Sequence, residues 1–379
     1  MNQSATPSGP SPAAKRLQDC VQSVSPLDRS ATSAIQARLD DLTKPRGSLG
    51  RLEDLALHVA LISLDAGRGP NPKVDPARVY TCAADHGVAA QGVSKFPSEV
   101  TAQMVRNFLG GGAAVNVLTR AAGVELRVVD VGVAHDDFTT DVPESAMFLR
   151  RKVKPGTADF STGPAMTEAE CAEAAAVGIA LADQAAQDGV LAVGTGEMGI
   201  ANTTAATALY CAYLGCAPER ITGPGTGLTA QEVRHKAEVI ARALAVNNSA
   251  LPPAPPLRTL AALGGLEIAC LTGLILGCAR HKLAIVVDGF ISTAAYVAAW
   301  KIQPHVADYA FFAHGSAEPG HRIILDQLQV RPILDLGMRL GEGTGAALAI
   351  PVLRAAAAML NEMASFSDAG VSSPETGAT

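Results

Sequence analysis

Apolar and polar positions along the chain fall into a helical opening followed by a long alternation. Residues 1–24 show no sustained periodicity and read as a disordered or loosely attached extension. From 27 to 64 apolar residues recur at helical spacing, interrupted by the turn Lys44-Pro45-Arg46-Gly47-Ser48. A second helix then sets Leu49, Leu52, Leu55 and Ala56 on one face. A Gly/Pro/Asn linker over 67–72 closes this helical pair. Beyond it, short apolar runs at 79–83, 126–131, 190–193, 283–287 and 309–313 alternate with Ala-rich helical segments such as 99–109, 203–214 and 230–246. Strands alternating with helices predict βαβ units and a mostly parallel sheet, whose ligands bind beyond the carboxyl ends of the strands. An apolar helix over 351–363 is expected to return onto the N-terminal pair.

Composition sharpens this picture in three respects. Hydrophobic residues make up 48% of the chain and aromatics only 4%, so the core is built from Ala, Val, Leu and Ile, as suits helices layered on a parallel sheet. A net charge of -6 without a dense basic tract argues against nucleic acid or an anionic membrane as main partner. The seven cysteines include no C-x-x-C pair, which fits reduced buried thiols better than disulfides or a zinc site. With no apolar signal segment near the start, the expected location is the cytoplasm. The stretch 260–279 carries one charge, Glu267, and is long enough to span a membrane. Its glycines at 264, 265, 273 and 277 favour a buried helix, and no membrane span is expected.

Several segments after the apolar runs can carry chemistry. Gly194-Thr195-Gly196-Glu197-Met198-Gly199 matches G-x-G-x-x-G. The acid that a dinucleotide site needs at the end of the next strand is absent, because Glu219 falls in a loop after a helix. Two readings of the motif remain: a tight turn without a ligand, or a phosphate held near the start of the helix with Asn202 and Thr203. A second flexible loop, 221–227, contains Gly225 and precedes a helix bearing Lys236, either a phosphate ligand or a solvated lysine. Val286-Val287-Asp288-Gly289 resembles the loop by which phosphoribosyl-pyrophosphate enzymes hold ribose and Mg²⁺. Gly289 stands where that loop has a second acid, which disfavours a pyrophosphate donor and a bound metal. His314 and His321, six residues apart with no third ligand, fix no metal site, whereas Ser316 and nearby N–H groups suit phosphate oxygens. Asp85 and His86 are adjacent and so point apart, as a structural or substrate-positioning pair rather than part of a triad. Glu342, between Gly341 and Gly343 at the opening of an apolar helix, reads either as a helix-end acid or as a partly desolvated general base.

Five separated strings together resemble one family, the nicotinate-nucleotide:dimethylbenzimidazole phosphoribosyltransferases of cobalamin lower-ligand synthesis. They are Lys44-Pro45-Arg46-Gly47-Ser48-Leu49-Gly50-Arg51-Leu52-Glu53, Ala84-Asp85-His86-Gly87-Val88, the run from Gly196 to Thr204, Asp288-Gly289-Phe290, and the run from Arg339 to Ala349. The likeness extends from about residue 28 to 363 in the family's order. It implies a Rossmann-like α/β domain (73–350) and a small helical domain from both chain ends (25–70 with 351–368), leaving a flexible tail at 369–379. It also implies a homodimer, no cofactor, and transfer of phosphoribose from nicotinate mononucleotide to 5,6-dimethylbenzimidazole with inversion at C1′. By the same resemblance Glu342 is the base, and Glu197, Gly199, Gly225, Lys236 and Ser316 line the donor's ribose and phosphate. Asn202, Thr203, Asp288 and Asp85 belong with the substrate-binding set. The acceptor ring is expected over 93–104 and near Leu340, with Phe96 and Met104 where some relatives carry Ser and Gln. Two alternatives stand beside this reading: an enzyme acting on another mononucleotide, and a catalytically silent nucleotide- or base-binding module.

Overall fold

A computed structural model describes residues 10–135, 138 and 142–371. Six strands form one sheet: β1 (Ala77–Ala84), β2 (Glu125–Gly132), β3 (Phe148–Arg150), β4 (Ala192–Met198), β5 (Ala284–Val287) and β6 (Ala310–Phe312). Their order is β3-β2-β1-β4-β5-β6, with every neighbouring pair parallel. This is the doubly wound order, and its switch point lies between β1 and β4. All eight residues of β1 are buried, as expected for a central strand covered on both faces.

The helices leading to the sheet are α1 (Pro12–Ser23), α2 (Thr32–Asp41) and α3 (Arg51–Asp65). Between β1 and β2 come α4 (Glu99–Leu109) and α5 (Ala114–Ala122), and between β3 and β4 the long α6 (Glu168–Gln187). Five helices separate β4 from β5: α7 (Asn202–Leu214), α8 (Pro218–Ile221), α9 (Ala230–Val246), α10 (Pro256–Leu263) and α11 (Leu266–Arg280). After β5 come α12 (Phe290–Ile302) and β6, then α13 (Pro319–Gln327), α14 (Thr344–Glu362) and α15 (Phe366–Ala369). One face of the sheet carries α11 and α12, with α6 packed outside α11; the other carries α14, α4 and α5, with α3 beyond α14.

Glycine sets the spacing of the α6–α11 pair. A Cβ on Gly178 would run into the Cys270 carbonyl, and one on Gly273 into the Ala175 carbonyl, so the two backbones touch. The stretch considered for a membrane span is thus two buried core helices, broken at Gly264-Gly265. Among the described residues one helix, α14, is long and apolar enough to cross a membrane, but it lies against β4 and α3 inside the protein.

Two expectations need correction, and one strand is new. Residues 12–23 form α1 rather than a loose extension, because Leu17 and Cys20 bury against α6 and α11 and Arg16 pairs with Asp183 at 2.6 Å. Residues 1–9 of that extension and 372–379 of the tail lie outside the described residues. The boundary at 350 falls inside α14, which continues through Pro351 and contacts both the sheet and α3. The edge strand β3 went unpredicted: three residues carry no readable alternation, and parallel pairing with Val128 to Asp130 is what makes them a strand.

Candidate active site

The cavity of interest, about 620 Å³, opens beyond the carboxyl ends of β1, β4, β5 and β6. That volume suits one nucleotide-sized ligand with a flat partner. Its base is built by β4, and the glycine motif works differently from expectation. Gly194 to Met198 continue the strand, and the turn follows only at Gly199 to Ala201. A Cβ on Gly194 would press on Val79 and Ala346, and one on Gly196 would collide with the Glu342 carbonyl. These glycines let the opening of α14 lie directly on the sheet, so close approach of protein backbone explains them. Gly199 sits over the carbonyl of Ala84 and the His86 ring.

Glu342 is held by its backbone conformation and by hydrogen bonds from β1 and α5. Gly341, Glu342 and Gly343 have φ of +86°, +65° and +95°, a left-handed run that only the two glycines adopt readily. The Thr81 hydroxyl donates to the Glu342 carbonyl at 2.7 Å, and Thr344 Oγ1 donates to the Gly341 carbonyl at 2.8 Å. The carboxylate reaches the first turn of a different helix: Val115 N–H of α5 donates to Oε2 at 3.2 Å. The side chain is thus both a helix-end acid and a wall of the cavity. Burial pushes its pKa above the ordinary glutamate value, the Val115 N–H opposes, and the Asp288 charge adds to the rise.

Glu197, at the end of β4, lines the same cavity and is buried. Its pKa is pushed up to about 8, first by burial, against a hydrogen bond from the Asn202 amide, with the carboxylates of Glu267, Asp288 and Glu342 adding to the shift. On the opposite side Lys236 reaches from α9 and donates from Nζ to Thr203 Oγ1 at 2.7 Å, tucked behind Gly225. Burial lowers its pKa to about 8, partly offset by Glu318. Arg339 Nη1 donates to the Gly225 carbonyl at 2.9 Å and ties two loops together across the mouth. An apolar wall is formed by Phe96 and by Val100 and Met104, one turn apart on α4, with Leu340 facing them. Phe96 and Leu340 are more than half exposed.

Of the residues singled out from sequence, Phe96, Met104, Glu197, Gly199, Asn202, Thr203, Gly225, Ser316, Leu340 and Glu342 all line this cavity. Lys236 stands directly behind the wall. Asp85 and Asp288 do not line it. Asp85 Oδ2 accepts from Ala134 N–H at 2.7 Å and its carbonyl from Thr157 N–H, so it ties the loops after β2 and β3 to the end of β1. His86, pointing the other way, pairs with buried Glu267 at 2.7 Å; burial disfavours its charged form, but Glu267 outweighs that and leaves the pKa raised. Asp288 turns its carboxylate to the first turn of α14, accepting from Ala346 N–H at 2.9 Å.

The two histidines of the 314–321 segment part company. His321 Nδ1 accepts from Ser316 N–H at 2.8 Å and its Nε2 faces the Thr293 hydroxyl, which orders the loop. His314 is wedged between Gly289 and Gly345 beside the cavity. Sequence reasoning also passed over Glu318, Arg339, Phe290 and Ile291 in the lining, while Val100 falls within the 93–104 stretch expected to carry the acceptor ring. Phe290 and Ile291 open α12 directly after Asp288-Gly289, whereas Glu318 and Arg339 are brought in by loops whose course no local pattern specifies.

Comparison with known proteins bears on the whole chain. The Phosphoribosyltransferase family model matches residues 24–371. A protein of Nitratidesulfovibrio vulgaris (strain DP4) named nicotinate-nucleotide–dimethylbenzimidazole phosphoribosyltransferase is 58% identical over 356 residues, covering 94% of this chain and 98% of that one. The chain belongs to this phosphoribosyltransferase family. A Pelodictyon phaeoclathratiforme member of the same name is 52% identical over 358 residues, covering 94% and 98% of the two chains. Among solved structures, CobT from Thermus thermophilus superposes with a TM-score of 0.84 at 45% identity, covering 90% of this chain and 99% of that one. The family resemblance and the Rossmann-like parallel sheet expected from sequence are therefore both borne out.

Proposed function

We propose that this phosphoribosyltransferase moves the 5-phosphoribosyl group of nicotinate mononucleotide onto 5,6-dimethylbenzimidazole, giving α-ribazole 5′-phosphate and nicotinate. Membership of the family over nearly the full chain supports the reaction. The observation that supports the mechanism is the fixed Glu342 carboxylate at one side of a cavity with an apolar wall and a polar one. The flat acceptor packs between Phe96, Met104 and Leu340. Thr203, Gly225, Ser316 and Lys236 take the phosphate, with Gly199, Asn202 and Glu197 near the ribose.

The nicotinate of the donor is a pyridinium, so it leaves as a neutral ring nitrogen and needs no general acid. The acceptor nitrogen attacks C1′ from the opposite face, which inverts the anomeric centre. Attack leaves the acceptor cationic, and Glu342 takes the proton from its other nitrogen. Holding two flat rings on either side of C1′ supplies much of the remaining acceleration. The Asp288 carboxylate is occupied with α14, in keeping with a reaction that draws on no metal there.

Incubation with nicotinate mononucleotide, with and without a panel of acceptor bases, tests this directly. Nicotinate released only with an acceptor, together with an α-linked product, supports the transfer. Release without acceptor would make the protein a nucleotidase, and no release a silent binding module. The family likeness further supports a homodimer, which sedimentation velocity reads. Seven free cysteines suit a cytoplasmic setting.

A further inference from the structure

We propose that Asp288 is a positioning residue for Glu342, acting through the first turn of α14 rather than on the donor nucleotide. This rests on Glu342 being the base. Asp288 lies at the end of β5, fully buried, and its own N–H donates to Thr195 Oγ1 of β4 at 3.1 Å. Its Oδ1 accepts from Ala346 N–H at 2.9 Å, and the Gly343 and Gly345 N–H groups also face the carboxylate. Those groups are otherwise unpaired donors of a helix start, and an anion among them stabilises it. Asp288 therefore caps α14 from outside the helix, because the N-cap residue Gly343 has no side chain.

The cap has a direct consequence for the base. Gly343 follows Glu342, and the left-handed run from Gly341 to Gly343 puts a non-glycine residue where it is strained. That conformation persists when its flanks are fixed. Thr81 and Gly196 fix it from β1 and β4, and Asp288 fixes it from β5. Even the room beside Gly345 is taken, since a Cβ there would meet Asp288 Oδ1 at 2.8 Å and the His314 ring. The carboxylate is committed to protein groups and offers none of its face to the cavity lining.

The test compares Asp288→Ala, Asp288→Asn, Glu342→Ala and the double variant Asp288→Ala/Glu342→Ala in the full chain. Asp288→Ala is expected to lower kcat about a hundredfold, the effect of a misplaced reacting group, with the KM for nicotinate mononucleotide unchanged. Asp288→Asn keeps an oxygen for Ala346 N–H and restores most of kcat. It also removes a negative charge near Glu342, so the acid limb of the kcat profile moves to lower pH. The other titratable groups around Asp288, His314 on one side and Glu197 with Glu267 behind it on the other, are the same in both proteins. In the Glu342→Ala background, Asp288→Ala adds no further loss. A raised KM for the donor, with the loss persisting in that background, overturns the proposal in favour of direct donor contact. Should Asp288→Ala fail to fold, an unshifted acid limb in Asp288→Asn overturns it equally. Near-normal turnover by Glu342→Ala alone instead sinks the base assignment, and this proposal with it.

Discussion

Replacing Glu342 with Ala removes one carboxylate and leaves the rest of the cavity in place. The variant should fold and bind nicotinate mononucleotide while turning over about a hundredfold slower or worse, as loss of a general base predicts; single-turnover kinetics with a separate binding assay check this. Because burial raises the Glu342 pKa, the wild-type acid limb should lie above the ordinary glutamate range, with activity falling as pH drops through it. Glu197 gives a stability signature instead. With a folded pKa of about 8, raised above its unfolded value, it holds its proton more tightly when folded. That contribution is complete below the unfolded glutamate pKa and is lost as pH rises toward 8. Glu197→Gln should therefore flatten the fall in denaturant midpoint between about pH 5 and 8 relative to wild type. Glu342 stood out in the sequence as a candidate because glycines flank an acid at a helix opening, a pattern that left a helix-end acid and a base as its two readings. Asp288 was grouped with the substrate-binding residues, and only the placement of α14 shows where its carboxylate goes.

At the scale of elements, glycines that resemble a nucleotide fingerprint are fitted to backbone instead. Gly196→Ala should push the Glu342 carbonyl off β4 and reduce kcat more than it raises either KM, which steady-state kinetics resolves. A Cβ on Gly273 meets the Ala175 carbonyl on α6, so Gly273→Ala should cost about 2–3 kcal/mol in chemical denaturation without a change in KM, the usual result of overpacking. Helices α4 and α9 were readable to the residue, and strands β1, β2, β5 and β6 nearly so, because their apolar runs are long or bounded by turn residues. The extension of β4 through Gly194 to Met198 was not, since glycine signals a turn locally and only a neighbouring backbone makes it a strand residue. Strand β3 failed for want of length.

For the whole molecule, alternation of short apolar runs with Ala-rich helices was enough to predict a mostly parallel sheet and to put the candidate site beyond the carboxyl ends of its strands. Which loops meet there was not, because residues 96, 225, 316 and 340 are far apart in sequence and are joined only by the fold. The donor chemistry predicts full activity in excess EDTA, measured as nicotinate release; loss of activity that added Mg²⁺ restores would mean the leaving group had been misjudged. Helix α1 bears on how the protein is handled. The family match begins at residue 24, which makes 24 an inviting place to start a shortened chain. Cutting there would strip Leu17 and Cys20 from the α6–α11 surface. An apolar seam would then face water, and the neighbouring Cys278 thiol would lose its cover. Such a truncated protein should precipitate or cross-link on storage, while the longer one stays in solution.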